Sequence, residues 1–116
     1  MFLGFSGRGF GPTAVADIDV TQLDSVRATH RLIDVRDADE LVGPLALLPD
    51  AEHVPLDQLT LVARDWDRSQ PLVLICQSGA RSARGVAMLK SLGFDEVYNL
   101  RGGMVAHYTQ RARQVA

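Results

Sequence analysis

The chain of 116 residues has a single cysteine, Cys76. One thiol excludes an internal disulfide, a Cys-x-x-Cys pair and a thiolate metal cage. Histidine is scarce too: His30, His53 and His107 are scattered, so no metal-ligand cluster is expected and no cofactor is implied. No apolar run approaches the length that crosses a bilayer. The formal net charge of −2 removes bulk attraction to nucleic acid or to an anionic membrane surface. The stretch Met1 to Pro12 lacks the unbroken apolar core of a signal peptide, because four glycines and Arg8 interrupt it. Thiol usage of this kind fits a reducing compartment, and the cytoplasm is the expected location.

What remains is an ordinary globular balance, with 47% hydrophobic and 22% charged residues. The length corresponds to one domain able to bury a core without staples. Residues 1–16 read as a flexible arm rich in glycine and phenylalanine, and 17–116 as the folded domain. Phe2, Phe5 and Phe10 give the arm an alternative use as a partner contact.

Strand and helix patterns alternate along the domain. Ile18-Asp19-Val20 reads as a short strand, and Thr21-Gln22-Leu23-Asp24 as a capping box that opens a helix to about Ala28. Arg31 to Val35 is an apolar, β-branched strand of the kind covered on both faces. Asp37-Ala38-Asp39-Glu40 repeats the capping pattern before a short helix that Gly43-Pro44 must stop. Pro44 to Glu52 reads as a loop and His53-Val54 as a short strand. Leu59, Val62, Ala63 and Trp66 share one helical face. Leu72 to Ile75 is the most apolar short run and the expected central strand. Gly85, Met88, Leu89 and Leu92 repeat the helical spacing, with Gly93 placed to cap. Val97 to Leu100 is a last strand, Gly102-Gly103 a turn, and Met104 to about Arg113 a terminal helix. This alternation predicts an α/β fold with a mostly parallel sheet, whose ligand site lies at the carboxyl ends of the strands.

Cys76 stands at such an end, followed by Gln77-Ser78-Gly79-Ala80-Arg81-Ser82. Gly79 allows a positive φ, so the chain can curl until successive N–H groups point inward and form an anion nest. Arg81 offers a planar fork suited to two-oxygen contact with an oxyanion. Ser82 can cap the next helix, whose dipole also favours negative charge. A thiol in this setting tends to ionise, and the thiolate is the attacking form. The alternative, a small buried apolar cysteine, fits the residues after it poorly.

Three stretches resemble the single-domain rhodanese-type sulfurtransferases: Leu32-Ile33-Asp34-Val35-Arg36, Cys76 to Ser82, and Gly93 to Met104. They lie in the family's order and near its spacing, and the resemblance spans roughly residues 17 to 110. It implies a sheet of about five strands, mostly parallel, with helices on both faces. It implies too that Cys76 takes a sulfane sulfur from thiosulfate or a similar anionic donor, holds it as a persulfide, and yields it to cyanide or a thiol, which includes a protein thiol. Gln77, Ser78, Gly79, Ala80 and Arg81 would cradle the persulfide, with Arg81 on the donor oxyanion. Asp34 and Arg36 match a strand-end pair with a structural role. The chain is expected to work as a monomer.

The sequence departs from the family in two places. A His-Ile-Pro-Gly-Ala-like stretch survives only in fragments over residues 43–55, which leaves donor preference open. His107 stands where the family commonly has tryptophan, and is expected to be a packing residue rather than a base for Cys76. Two other functions compete. A non-catalytic rhodanese-like binding module usually lacks the cysteine or carries a degraded loop. A cysteine-dependent phosphatase needs five residues between Cys and Arg, whereas four separate Cys76 from Arg81. With no second thiol, any sulfur on Cys76 must leave to an outside acceptor.

Overall fold

The computed structural model describes residues 16–115. The arm expected over 1–16 lies outside them except for Ala16, whose carbonyl accepts a hydrogen bond from the Asn99 N–H at 2.8 Å. Five strands form one sheet: β1 (Asp17–Ile18), β2 (Arg31–Asp34), β3 (Ala51–His53), β4 (Leu72–Ile75) and β5 (Val97–Leu100). Their order is β1-β5-β4-β2-β3 and every pairing is parallel. Among the described residues the α-helices are α1 (Val20–Val26), α2 (Leu59–Ala63), α3 (Ala80–Ser91) and α4 (Gly103–Val115). The expected α/β sheet of five strands is therefore present, parallel throughout.

Strand alternation divides the core into two layers. Ile33, Leu72, Leu74 and Cys76 pack with Leu59 and Ala63 of α2 and Val86 and Leu89 of α3. Leu32, Val73 and Ile75 point the other way, toward Leu23 of α1 and Met104 of α4. Successive side chains on a strand point to opposite faces, so a strand between two helical layers must be apolar at every position. β4 is buried along its whole length and lies at the centre of the sheet, as its composition predicts. The same alternation assigns Cys76 to the α2/α3 side.

Several boundaries differ from the sequence reading. The first capping box is Asp19 with Gln22, two residues before the expected Thr21: the Asp19 carboxylate accepts from the Thr21 N–H at 2.9 Å and Gln22 Oε1 accepts from the Asp19 N–H at 2.8 Å. Asp19 thereby leaves the strand, which shrinks to Asp17–Ile18, and α1 ends at Val26 rather than near Ala28. The Asp37–Glu40 cap is present, but the helix it opens is a 3-10 turn over Ala38–Val42. β3 begins at Ala51 because Ala51, Glu52 and His53 pair with Leu32, Ile33 and Asp34 of β2. Val62 and Leu92 lie in solvent-exposed positions, while Val86 joins Gly85 and Leu89 on the buried face of α3. Gly93 takes φ +97° after α3, the capping role expected of it.

Asp34 and Arg36 form a fully buried ion pair at the end of β2, with Arg36 0% and Asp34 1% exposed. Arg36 Nη2 donates to Asp34 Oδ2 at 2.8 Å and its Nε to Oδ1 at 3.0 Å. Its Nη1 donates to the Leu45 carbonyl at 2.8 Å, and its own carbonyl accepts from His53 Nε2 at 2.7 Å. One side chain thus ties the irregular segment after the 3-10 turn to the sheet, where the family-like sequence is fragmentary. Arg36→Met should lower stability by about 3–5 kcal/mol in urea denaturation, because it strands Asp34 as a buried charge without a partner. A loss below about 1 kcal/mol would show that the pair does not hold this end of the sheet.

Candidate active site

The chain leaves β4 at Cys76 and turns through Gln77 and Ser78 into α3. Gly79 sits at φ +102°, in the left-handed region, and is the residue before the first helical turn. A Cβ there would lie 3.1 Å from the Gly102 nitrogen. Glycine meets both demands, but it brings no side chain to cap the open N–H groups of α3. The cap comes instead from Cys76. Its Sγ accepts from the Gly79 N–H at 3.1 Å, the Ser82 N–H at 3.4 Å and the Ser82 hydroxyl at 3.3 Å. Ser82, expected to be the N-cap, is instead the third residue of the helix and is buried.

These contacts decide the ionisation of Cys76. Burial is the largest single influence and pushes the thiol up. The Ser82 hydroxyl and the N–H groups of Ser82, Gly79 and Ser78 act together against it, and the balance falls below the ordinary thiol value of 9.0. Hydrogen bonds to the charged form prevail over desolvation, so the thiol ionises more readily than an ordinary one.

The Ser82 hydroxyl has one proton and two acceptors. It lies 2.5 Å from Asn99 Oδ1 as well as 3.3 Å from Sγ. Asn99 is in turn oriented by its amide, which donates to Asp17 Oδ1 at 3.1 Å. The sequence reading missed Ser82 as a thiol ligand and Asn99 as its support. Buried polar residues on an apolar strand and on a helix's inner face were the available signal, since such groups need partners.

The other expected site residues fall as follows. Gln77 and Ser78 line the turn, with Gln77 Oε1 3.5 Å from Arg36 Nη1. Ala80 is exposed at the start of α3. Arg81 faces the 3-10 turn, and its two terminal nitrogens donate to the two oxygens of Glu40, each at 2.7 Å. The two-oxygen contact read from the sequence is therefore made, with the protein's own carboxylate. The Arg81 hydrogen bonds hold the Glu40 carboxyl at about 2, well below its ordinary 4.5. Arg81 is raised in return, chiefly by the same contact.

His107 is buried on α4 in a hollow shared with Arg27, Leu48, Pro49, Tyr108 and Arg111. Its pKa is lowered by burial first and by Arg111 next. Its helix packs on the sheet face opposite the one Cys76 enters, so it is the packing residue expected. Among the described residues, no helix is long and apolar enough to cross a membrane.

In this parallel α/β domain the strand-end thiol caps the helix that follows it. The sequence pattern of the rhodanese-like domain matches residues 19–110, and the chain belongs to that family. A sulfurtransferase of Allochromatium vinosum is 30% identical over 95 residues, covering 75% of this chain and 87% of that protein. The thiosulfate sulfurtransferase GlpE of Pseudomonas syringae is 33% identical over 72 residues, covering 62% of this chain and 66% of that enzyme. A rhodanese-related protein of Thermoplasma volcanium superposes with a TM-score of 0.73 at 24% identity, covering 82% and 92% of the two chains. At that identity the likeness is one of fold.

Ser82→Ala removes the one side-chain donor to the Cys76 sulfur and leaves the backbone donors in place. The alkylation rate of Cys76 at neutral pH should fall roughly tenfold, the worth of one hydrogen bond to a charged group. Because a depressed pKa puts more thiolate at neutral pH, the midpoint of the pH–rate curve should move upward in the variant. An unchanged pH–rate curve would show that the Ser82 hydroxyl serves Asn99 alone.

Proposed function

We propose that the protein is a sulfurtransferase that moves a sulfane sulfur from thiosulfate or a similar donor to cyanide or a thiol through a persulfide on Cys76. The observation that carries this reading is the capping of α3 by Cys76 Sγ, with N–H donors from Gly79 and Ser82 around it. A second sulfur on Sγ extends the same negative charge by one atom, and a nest of N–H groups suits it. The relatives named as sulfurtransferases support the same class.

In the first half-reaction the Cys76 thiolate attacks the outer sulfur of thiosulfate. The sulfur–sulfur bond of the donor breaks, a bond between Sγ and the transferred sulfur forms, and sulfite leaves with the bonding pair. In the second, cyanide or a thiolate attacks the outer sulfur of the persulfide and Cys76 departs as thiolate. Charge and electrons balance in each step without an added oxidant. The chain supplies the nucleophile, its ionisation and the cradle. The four-residue gap between Cys76 and Arg81 makes an arc better sized to a sulfur atom than to a phosphoryl group. An intact thiol and loop weigh against a purely binding module.

Incubation with thiosulfate should add the mass of one sulfur atom to the peptide containing Cys76, and cyanide should remove it as thiocyanate. Cys76→Ser should abolish both. An unmodified Cys76 under conditions that load a known sulfurtransferase would sink the thiosulfate version of this proposal. Turnover retained in Cys76→Ser would place the nucleophile elsewhere.

A further inference from the structure

Arg81 is the cation nearest the loop in sequence, yet its fork is closed by Glu40. The closure is built from two directions. Arg81 Nη1 and Nη2 meet Glu40 Oε2 and Oε1, each at 2.7 Å. From behind, Glu40 Oε2 accepts the Asp37 N–H at 2.9 Å, as part of the cap on the 3-10 turn. The pair is about three-quarters to two-thirds shielded, with 26% of Glu40 and 34% of Arg81 side chain exposed. Glu40 keeps its charge through any ordinary pH, so acidification in the working range does not free Arg81.

The surroundings add negative charge. Carboxylate oxygens of Asp37, Asp39 and Glu40 lie within 4.8 Å of one another. A hollow of about 300 Å³ beside Arg81 is lined by Asp37, Asp57 and Arg84 among its charged groups. Counting Glu40 with them, three carboxylates face two guanidiniums, a formal charge of −1. Thiosulfate carries two negative charges, and to reach Arg81 through two oxygens it must displace Glu40. Leu56, Val35 and Met88 give the same hollow an apolar wall.

We propose that Glu40 is a specificity-determining residue: by occupying Arg81 it disfavours oxyanionic donors and favours thiol persulfides, which carry at most one negative charge, have no oxygens that need the Arg81 fork, and have a carbon body that can rest on the apolar wall. The inference rests on the reading of Cys76 as a persulfide carrier. The Cys76 thiolate attacks the terminal sulfur of R–S–S–H, the donor sulfur–sulfur bond breaks, and the bond from Sγ to that sulfur forms. The thiolate R–S⁻ leaves, and the proton remains on the new Cys76 persulfide until solvent takes it. No electrons enter or leave the pair of reactants. This route uses the N–H cradle and leaves the Arg81–Glu40 contact intact.

The test is the rate of sulfur loading on Cys76 from thiosulfate and from a small alkyl persulfide, side by side. Glu40→Gln keeps an oxygen for the Asp37 N–H and removes the charge. It should raise kcat/KM for thiosulfate by about tenfold, mainly through a lower KM, the order expected for one charged contact set free. Persulfide use should change by less than about twofold, since no charged contact to it is altered. The gain should vanish in Glu40→Gln combined with Arg81→Ala, because it acts through Arg81. An unchanged donor ratio in Glu40→Gln overturns the proposal, and so does a parallel loss with both donors, as a merely structural Glu40 would give. Failure of both donors to load Cys76 in the unaltered protein would refute the persulfide carrier itself, a result distinct from both.

Discussion

The site depends on a close approach between the start of α4 and the loop after β4. The N–H groups of Met104 and Val105 donate to the carbonyls of Cys76 and Gln77, at 2.9 and 3.0 Å. Those two carbonyls are thereby held away from the sulfur, and the N–H groups that follow turn inward to Sγ. Gly103, at φ +58°, makes the approach possible: a Cβ there would overlap the carbonyl oxygens of both Cys76 and Gln77. The positive end of α4 is spent on the loop backbone, and that of α3 on the Cys76 sulfur. Two helices on opposite faces of the sheet so divide one turn, its acceptors going to one and its donors facing the other's open end.

Buried charge holds the other bank of the site. Arg36 satisfies Asp34 and reaches the Leu45 carbonyl, and its own carbonyl is taken by His53. Removed from water, such a pair is stable only if its hydrogen-bonding groups are met. That requirement gives the segment after β2 a defined path, and the path carries Asp37 and Glu40 to the mouth beside Arg81. The electrostatics of the mouth are therefore set by a chain of contacts that begins inside the sheet. The Cys76 sulfur itself is met by neutral donors. Arg81, the cation that its place in the loop suggests for the substrate, is already neutralised by Glu40.

Periodicity made much of this fold legible. β4 and β5 have the expected limits, because four apolar or alternating residues between turn signals leave little freedom. Helix starts were less certain. Thr21 and Asp19 both carry an oxygen able to cap, and which one does so depends on where Ile18 stops pairing with Leu100. The short strand read at His53-Val54 lies two residues earlier, at Ala51–His53, since pairing with β2 is what makes Ala51 and Glu52 extended. In the site, Cys76, Gly79 and the loop's inward curl followed from residue type and order. Ser82 and Asn99 did not, for their partner groups are 17 residues apart and meet only across the packed interface of α3 and β5.

By itself the sequence determined a parallel α/β domain, a lone thiol at the carboxyl end of its central strand, and a glycine turn leading into a helix. These follow from local preference and from hydrophobic period, which act over a few residues. Only the tertiary structure decided what the thiol and the arginine touch. Cys76 serves as the cap that Gly79 cannot supply, and Arg81 is bound to a carboxylate 41 residues away. The physical reason is one of range. A hydrogen bond or ion pair needs its partners placed to within a fraction of an ångström, and for groups far apart in the chain it is the packing of the whole sheet and its helices that places them.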